Sequence, residues 1–131
     1  NLDWETRIKK SQVSINDHGT YSSYSSFYTD SSFCFVFNDN SNNYDEFGIY
    51  TRGNSKPLSN NFSRQRNTSA ICQLNKKDGG NTRKFLLNKK ELNALIVPKA
   101  FKFDIANQEL LLFALQGYKE KFGILKLNTK K

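Results

Sequence analysis

The chain has 131 residues, the size of one ordinary domain, with 37% hydrophobic residues, 14% aromatic residues and a net charge of +8. It contains no apolar run near the roughly 18 residues of a membrane span, and its two cysteines are too few for a disulfide framework. The polar N-terminus NLDWETRIKK predicts no signal peptide in this stretch. Because the chain starts at Asn and has no Met, we expect a processed product or the end of a longer chain.

Apolar and polar residues alternate with period two along nearly the whole chain, which predicts β-strands. The predicted strands are residues 3–10, 20–28, 32–39, 46–51 or 69–75, 82–88, 99–106, 109–116 and 121–128. The stretch 109–116 is rich in Leu and Ala and would suit a helix by propensity, but its neighbours at hairpin distance are strands. Only KKELNAL is predicted to be helical, over at most two turns, so less than a tenth of the residues should lie in helix.

Turn residues separate these strands. KKDGGN supplies glycines for a tight hairpin between two of the strands. Residues 38–45 and 52–67 are predicted loops, and the second is long enough to indicate a mobile or functional segment. The aromatic strand FCFVF therefore runs directly into the amide-rich stretch NDNSNNYD, where Asn and Asp are expected to turn the chain at a rim without apolar cost.

The spacing of the strands predicts an all-β protein of antiparallel sheets with propeller-like blades. One blade-like unit covers about residues 12–90 and a second covers 95–128, which holds only three strands. Trp4, Thr6 and Ile8 alternate, so the segment 3–10 could supply the missing strand, as in the closure of a β-propeller. All 131 residues then form a single all-β unit, for which a small β-sandwich or an OB-like barrel is the alternative.

Three runs carry a resemblance to a family: KSQVSINDHGTYSSYSSFYTDSSFCFVFNDNSNNY, ICQLNKKDGG and VPKAFKFDIANQELLLFALQGYKEKFGILKLN. They resemble the C-terminal part of large, uncharacterised β-propeller-like envelope proteins of bacteria. The resemblance implies a propeller-like fold, export to the periplasm or the cell exterior, and a binding or scaffolding role inside a larger assembly. It implies no catalytic residues. Closed propellers need at least four blades, so the other blades would come from the rest of the chain or from other subunits.

Charge is distributed unevenly along the chain, which favours a solvated lysine-rich surface and leaves a partner-binding surface as the alternative. Residues 1–60 carry five basic and seven acidic groups, a net charge of −2, whereas residues 61–131 carry fifteen and five, a net charge of +10. A basic surface attracts an acidic protein or nucleic acid, although exposed lysines also protect strand edges from aggregation. The predicted partner-binding residues are Arg52, Lys56, Arg64, Arg66, Arg83 and Lys84.

A single-stranded nucleic-acid-binding barrel is the alternative function. The stretch 33–36, Phe-Cys-Phe-Val, is similar to the core of an RNA-recognition strand, and the C-terminal half is basic. The chain lacks the preceding basic residue and glycine, and it lacks the two long helices of that fold. Protein partners, or the rest of its own chain, are therefore favoured over nucleic acid.

Oxygen-bearing side chains at alternate positions make the stretch 39–45 a weak calcium candidate, with Asp39, Asn43 and Asp45 as ligands. An EF-hand would require Gly in place of Tyr44 and Glu in place of Tyr50, so that pattern fails. A plain turn in which Asn and Asp cap their own backbone is favoured, and no cofactor is expected.

Catalysis is not predicted. The only histidine is His18, in a polar turn, and no acidic pair stands at a recognisable spacing. Cys34 and Cys72 lie in apolar strand patterns and have no metal-binding spacing. They could act as small core residues, or they could pair if their strands are neighbours in an oxidising compartment.

Overall fold

A computed structural model of the chain describes residues 3–8, 10, 20–51, 67–86, 94–116 and 118–127. Of these residues, 55% lie in strands and 7% in helix, which confirms the all-β class and the low helix content. The strands are β1 Ser25–Tyr28, β2 Ser32–Asn40, β3 Asn67–Asn75, β4 Asn81–Phe85, β5 Leu95–Ile96, β6 Lys102–Asp104, β7 Glu109–Gln116 and β8 Lys119–Lys126. Two single-turn 3-10 helices span Ser41–Asn43 and Pro98–Ala100.

The first four strands form sheet 1, an antiparallel meander in the order β1-β2-β3-β4. Strands β2 and β3 pair over nine residues, from Ser32 opposite Asn75 to Asn40 opposite Asn67. The hairpin between β3 and β4 is the one that KKDGGN predicts, and Gly79 adopts a φ of 72° there, a conformation that side chains disfavour. The sheet therefore follows the chain order without a crossover.

The last four strands form sheet 2, with β7 at its centre. β6 pairs with the first residues of β7 and β5 with its last residues, while β8 pairs with β7 along its whole length on the other side. Residues 109–116 are therefore a strand, as the hairpin spacing predicts. The fourth strand of the sheet is β5 and not the N-terminal segment; the predicted helix KKELNAL lies outside the described residues except for Ala94 and Leu95, which begins β5.

Sheets 1 and 2 pack face to face around one hydrophobic core, and they form no closed barrel in the described part of the chain. Alternate residues of each strand point into this core, as period-two patterning requires. The buried apolar residues are Phe27, Cys34, Val36 and Ile71 from sheet 1, and Ala94, Ile96, Phe101, Leu110, Leu112 and Ala114 from the sheet 2 side. Both faces of β2 are largely buried, because Phe37 lies in a second cluster on the opposite face of sheet 1.

That second cluster is partly covered by the N-terminal residues 3–8 and 10, named here the N-terminal cover. These residues form no strand, but they keep the predicted alternation, with Trp4, Thr6 and Ile8 half-buried and the intervening residues exposed. Trp4 Nε1 donates to the carbonyl oxygen of Lys76 at 2.9 Å, and the indole lies against Gly79, where a Cβ atom would approach it to 2.6 Å. The alternation thus produces a cover over sheet 1 instead of a closing strand.

Candidate functional site

The amide-rich end of β2 is buried inside the protein. Asn38, Asp39 and Asn40 were predicted to begin a loop, but β2 continues through Asn40 and all three side chains are buried. The prediction is wrong because it assumed that polar side chains had nothing to bond with in the interior. Each of the three accepts or donates specific hydrogen bonds, which removes most of the cost of burying it.

Asn38 joins the two sheets. Its Nδ2 donates to the carbonyl oxygens of Ile96, at 2.7 Å, and Tyr21, at 3.0 Å. Its Oδ1 accepts from the backbone N–H of Ile96 at 3.2 Å. The side-chain amide therefore pairs with both backbone groups of Ile96, as a neighbouring strand would.

Asp39 points to the opposite face of sheet 1 and forms a buried ion pair with Arg83. Arg83 Nη2 and the hydroxyl of Tyr44 donate to Oδ2 of Asp39, at 2.5 Å and 2.8 Å. The backbone N–H of Asn40 and Nδ2 of Asn43 donate to Oδ1, at 2.9 Å and 3.2 Å. Four donors therefore surround the carboxylate of Asp39, a residue that is only 2% exposed.

Aromatic rings enclose the guanidinium of Arg83. Its central carbon lies 4.2 Å from the ring centroid of Tyr50 and 4.8 Å from that of Phe37, and Nε donates to the hydroxyl of Tyr44 at 3.1 Å. Burial alone would lower the pKa of Arg83, but Tyr44 and Asp39 more than offset this effect and raise the pKa above its usual value. Burial, followed by the nearby Asp39 charge, raises the pKa of Tyr44 far above its usual range. Both groups therefore keep their protons at physiological pH.

The side chains of this network stabilise the fold, and none of them is positioned as an activated acid, base or nucleophile. Its charges are paired with each other, its tyrosine is held neutral, and Arg83 is only 8% exposed. Arg83 was predicted to bind a partner at the surface, and its burial does not fit that role. Lys84, the next residue, points to the other side of the strand and is exposed, while Arg52, Lys56, Arg64 and Arg66 lie outside the described residues.

The three calcium candidates already serve as hydrogen-bond partners within the chain. Asn43 is buried and bonded to Asp39, whose two oxygens face four protein donors. Oδ1 of Asp45 accepts from the backbone N–H groups of Phe47 and Ile49, both at 2.9 Å, which closes a turn. The described residues contain no group of three or more His, Cys, Asp or Glu side chains placed to hold a metal. His18 is not among the described residues.

Both cysteines are buried free thiols. Cys34 faces the core between the sheets and Cys72 faces the cluster on the other side of sheet 1, although their strands are neighbours. Side chains on opposite faces of a sheet cannot approach to disulfide distance without moving the backbone. Burial raises the pKa of both thiols, so neither is activated as a nucleophile.

The outer face of sheet 2 carries an exposed apolar surface that sequence reasoning did not identify. Phe122 is 67% exposed, Ile124 61% and Leu111 39%, and Phe113 packs on Phe122 with ring centroids 5.0 Å apart. Ile124 is the cross-strand partner of Leu111, and Phe122 is the partner of Phe113, so the four side chains form one block. We name these four residues the outer patch. Strand prediction alone could not find it, because the pattern does not say which face of β7 meets sheet 1.

Charged residues of both signs surround the outer patch. Lys102 lies beside Leu111, and Asp104, Glu109 and Lys126 form one cross-strand row beyond it. Strand β8 also lies at an edge of the sheet, since β7 is its one strand partner among the described residues. A contiguous apolar centre with a polar rim, next to a strand edge, has the composition of a protein-binding surface.

Comparison of the chain with protein-family models, curated proteins and solved structures finds no match. In the described part of the chain, no helix has both the length and the apolar character needed to cross a membrane.

Proposed function

We propose that the chain is a non-catalytic protein-binding module, and that the outer patch and the edge of β8 bind an extended segment of a partner protein. The observation that supports this role is the exposure of Phe122 and Ile124, two large apolar side chains at alternate positions of an edge strand. A partner strand that pairs with β8 would place its own alternate side chains beside them. Edge strands bind extended peptides in this way, with backbone hydrogen bonds for affinity and side chains for specificity.

The charge of β8 indicates the chemistry of that partner. The strand contains Lys119, Lys121 and Lys126 against one acidic residue, Glu120, which leaves a net charge of +2 over eight residues. Lysines at an edge also discourage indiscriminate pairing. A protective role for the lysines does not require two exposed apolar side chains between them, so we infer a selective edge that prefers an acidic strand with alternate apolar residues.

A nucleic-acid partner is less well supported. In the aromatic strand that is similar to an RNA-binding strand, Phe37 is buried and Phe35 packs in the second cluster, while Phe33 is 41% exposed and lies 6.4 Å from the Trp4 ring. On the outer face of sheet 2, Asp104, Glu109 and Glu120 share the face that carries the exposed rings. Among the described residues, Lys102 and Lys126 are the cations of that face, so it lacks the excess of positive charge that a single-strand binder needs for a phosphate backbone. Lys119 and Lys121 lie on the other face of β8, beside the position of the acidic side chains of an alternating partner strand.

The resemblance to bacterial envelope proteins supports a more specific role and location for the chain. We infer a scaffolding role inside a larger assembly of the cell envelope, in the periplasm or outside the cell. The four-stranded meander of sheet 1 is the topology that a propeller blade requires and is compatible with that architecture. Trp4 and Ile8, which were predicted to lie in a closing strand, pack on the second cluster of this chain, so the outer patch is the surface that an assembly would cover.

A binding experiment with a synthetic peptide tests the proposal. The probe is a ten-residue peptide of alternating Val and Glu, titrated into the labelled protein while the backbone amide signals of β8 are followed by NMR. We expect a dissociation constant of about 1 mM or tighter, shifts that concentrate in β8, and weaker binding as salt is added. The variant Ile124→Ser should weaken binding at least about tenfold, because it removes an apolar side chain from the outer patch without changing the charge of β8.

Two controls test whether binding depends on the outer patch and on pairing with the edge of β8. Tyr118→Ser removes a fully exposed aromatic residue outside the outer patch and should leave binding unchanged. A peptide of the same composition with N-methylated amides should not bind, because it cannot pair with a strand edge. Absence of β8 shifts, or equal binding by Ile124→Ser, would contradict the proposal. A concentration-dependent dimer that Ile124→Ser breaks would assign the edge to a second copy of the chain instead.

A further inference from the structure

A cavity of about 320 Å³ lies between the N-terminal cover and the face of sheet 1 that points away from sheet 2. This volume falls within the range of roughly 300–1,000 Å³ that small-molecule sites occupy. The lining residues are Trp4, Thr6, Ile8, Lys10, Tyr24, Phe35, Phe37 and Leu74. Half of them are aromatic, and Lys10 is the one charged residue among them.

The walls of this cavity are held in place by contacts that need no ligand. The hydrogen bond from Trp4 to Lys76 fixes the indole, and Gly79 leaves space for it. Tyr24 and Phe35 meet edge to face with centroids 5.8 Å apart, while Phe37 and Leu74 form a buried floor. A preformed apolar cavity costs a ligand little ordering energy when it binds.

Lys10 supplies a positive charge at the side of the cavity. Its ammonium lies 5.8 Å from the centroid of the Tyr24 ring, and partial burial lowers its pKa, an effect that Asp39 partly offsets. An anionic group of a ligand would therefore meet Lys10 as the nearest cation on the lining, and its charge would favour the protonated lysine.

We propose that this cavity binds a small aromatic carboxylate, with the ring between Trp4, Tyr24 and Phe35 and the carboxylate beside Lys10. Aromatic walls favour a flat ring because tilted and edge-to-face contacts add to the burial of apolar area. The carboxylate follows from charge complementarity with Lys10. This site lies on sheet 1 and the outer patch lies on sheet 2. Ligand binding in the cavity is therefore tested independently of the proposed partner binding.

Trp4 is the only tryptophan of the chain, so its fluorescence reports on this cavity directly. We would titrate the protein with 3-phenylpropionate, with its uncharged amide and with 3-cyclohexylpropionate. Saturable quenching or a shift of the Trp4 emission is expected with the carboxylate. The amide should bind about tenfold more weakly, as the loss of a charge-assisted contact implies, and the cyclohexyl acid should also bind more weakly.

Three variants locate the binding and its charge dependence. Lys10→Gln should abolish the difference between the acid and the amide. Arg7→Gln removes the same charge from the exposed side of the N-terminal cover and should preserve that difference. Thr6→Phe fills the cavity without removing a wall, so it should abolish the binding of both ligands while the circular dichroism spectrum is unchanged.

Several results would overturn the proposal. One is the absence of a saturable Trp4 response up to the solubility limit of 3-phenylpropionate. Equal affinities for the acid and the amide in the unmodified protein would show that Lys10 does not recognise the ligand carboxylate. Equal or tighter binding of 3-cyclohexylpropionate would contradict an aromatic ligand, and unchanged binding by Thr6→Phe would place the site elsewhere.

Discussion

Replacing Arg83 with Met should destabilise the protein by about 3 kcal/mol. The substitution leaves the Asp39 carboxylate buried without its ion pair, and breaking one side of a buried pair costs roughly 3–5 kcal/mol. We expect the lower end because the backbone of Asn40, the amide of Asn43 and the hydroxyl of Tyr44 still donate to the carboxylate. For a domain of this size, the loss corresponds to a melting temperature about 10–15 °C lower.

Urea and thermal unfolding, followed by circular dichroism, measure this loss, and the adjacent Lys84 gives the matched control. Lys84→Met removes the same charge from the same strand at an exposed position and should change stability by about 0.5 kcal/mol or less. The double variant Asp39→Asn with Arg83→Met should recover at least about 1 kcal/mol, because it no longer buries an unpaired charge. Equal effects of Arg83→Met and Lys84→Met would refute the buried ion pair.

Two further predictions concern buried polar groups. Asn38→Ala should cost about 2–4 kcal/mol in urea unfolding, since it leaves buried backbone groups of Ile96 without the side chain that bonds them; a loss below about 1 kcal/mol would contradict the link between the sheets. Cys34 and Cys72 should react slowly with iodoacetamide in the native state, and the rate should keep rising with pH through the usual thiol range near pH 8.5 instead of levelling off there, because burial raises the folded-state pKa of both thiols. Mass spectrometry checks this, and labelling of both thiols at the rate of the unfolded chain would contradict it.

The sequence by itself determined the class of the fold, because side-chain alternation is a local property. Period-two patterning located most strands, and the glycines of KKDGGN fixed the hairpin between β3 and β4. Hairpin spacing also overrode helix propensity at residues 109–116. Trp4, Thr6 and Ile8 also alternate with exposed residues in the structure. Alternation, however, does not say whether a segment pairs with a sheet or lies across it.

Only the tertiary structure decided which polar residues lie inside. Arg83 and Lys84 are adjacent cations in one strand, yet the register of β4 turns Arg83 into an aromatic cluster beside Asp39 and leaves Lys84 exposed. Asp39, whose charge offsets the cost of burying Arg83, is 44 residues away in the chain, so no local pattern reveals the pair. The same reasoning applies to Asn38, whose partner Ile96 is 58 residues distant. Long-range hydrogen bonds, not composition, distinguish a buried polar residue from a loop residue.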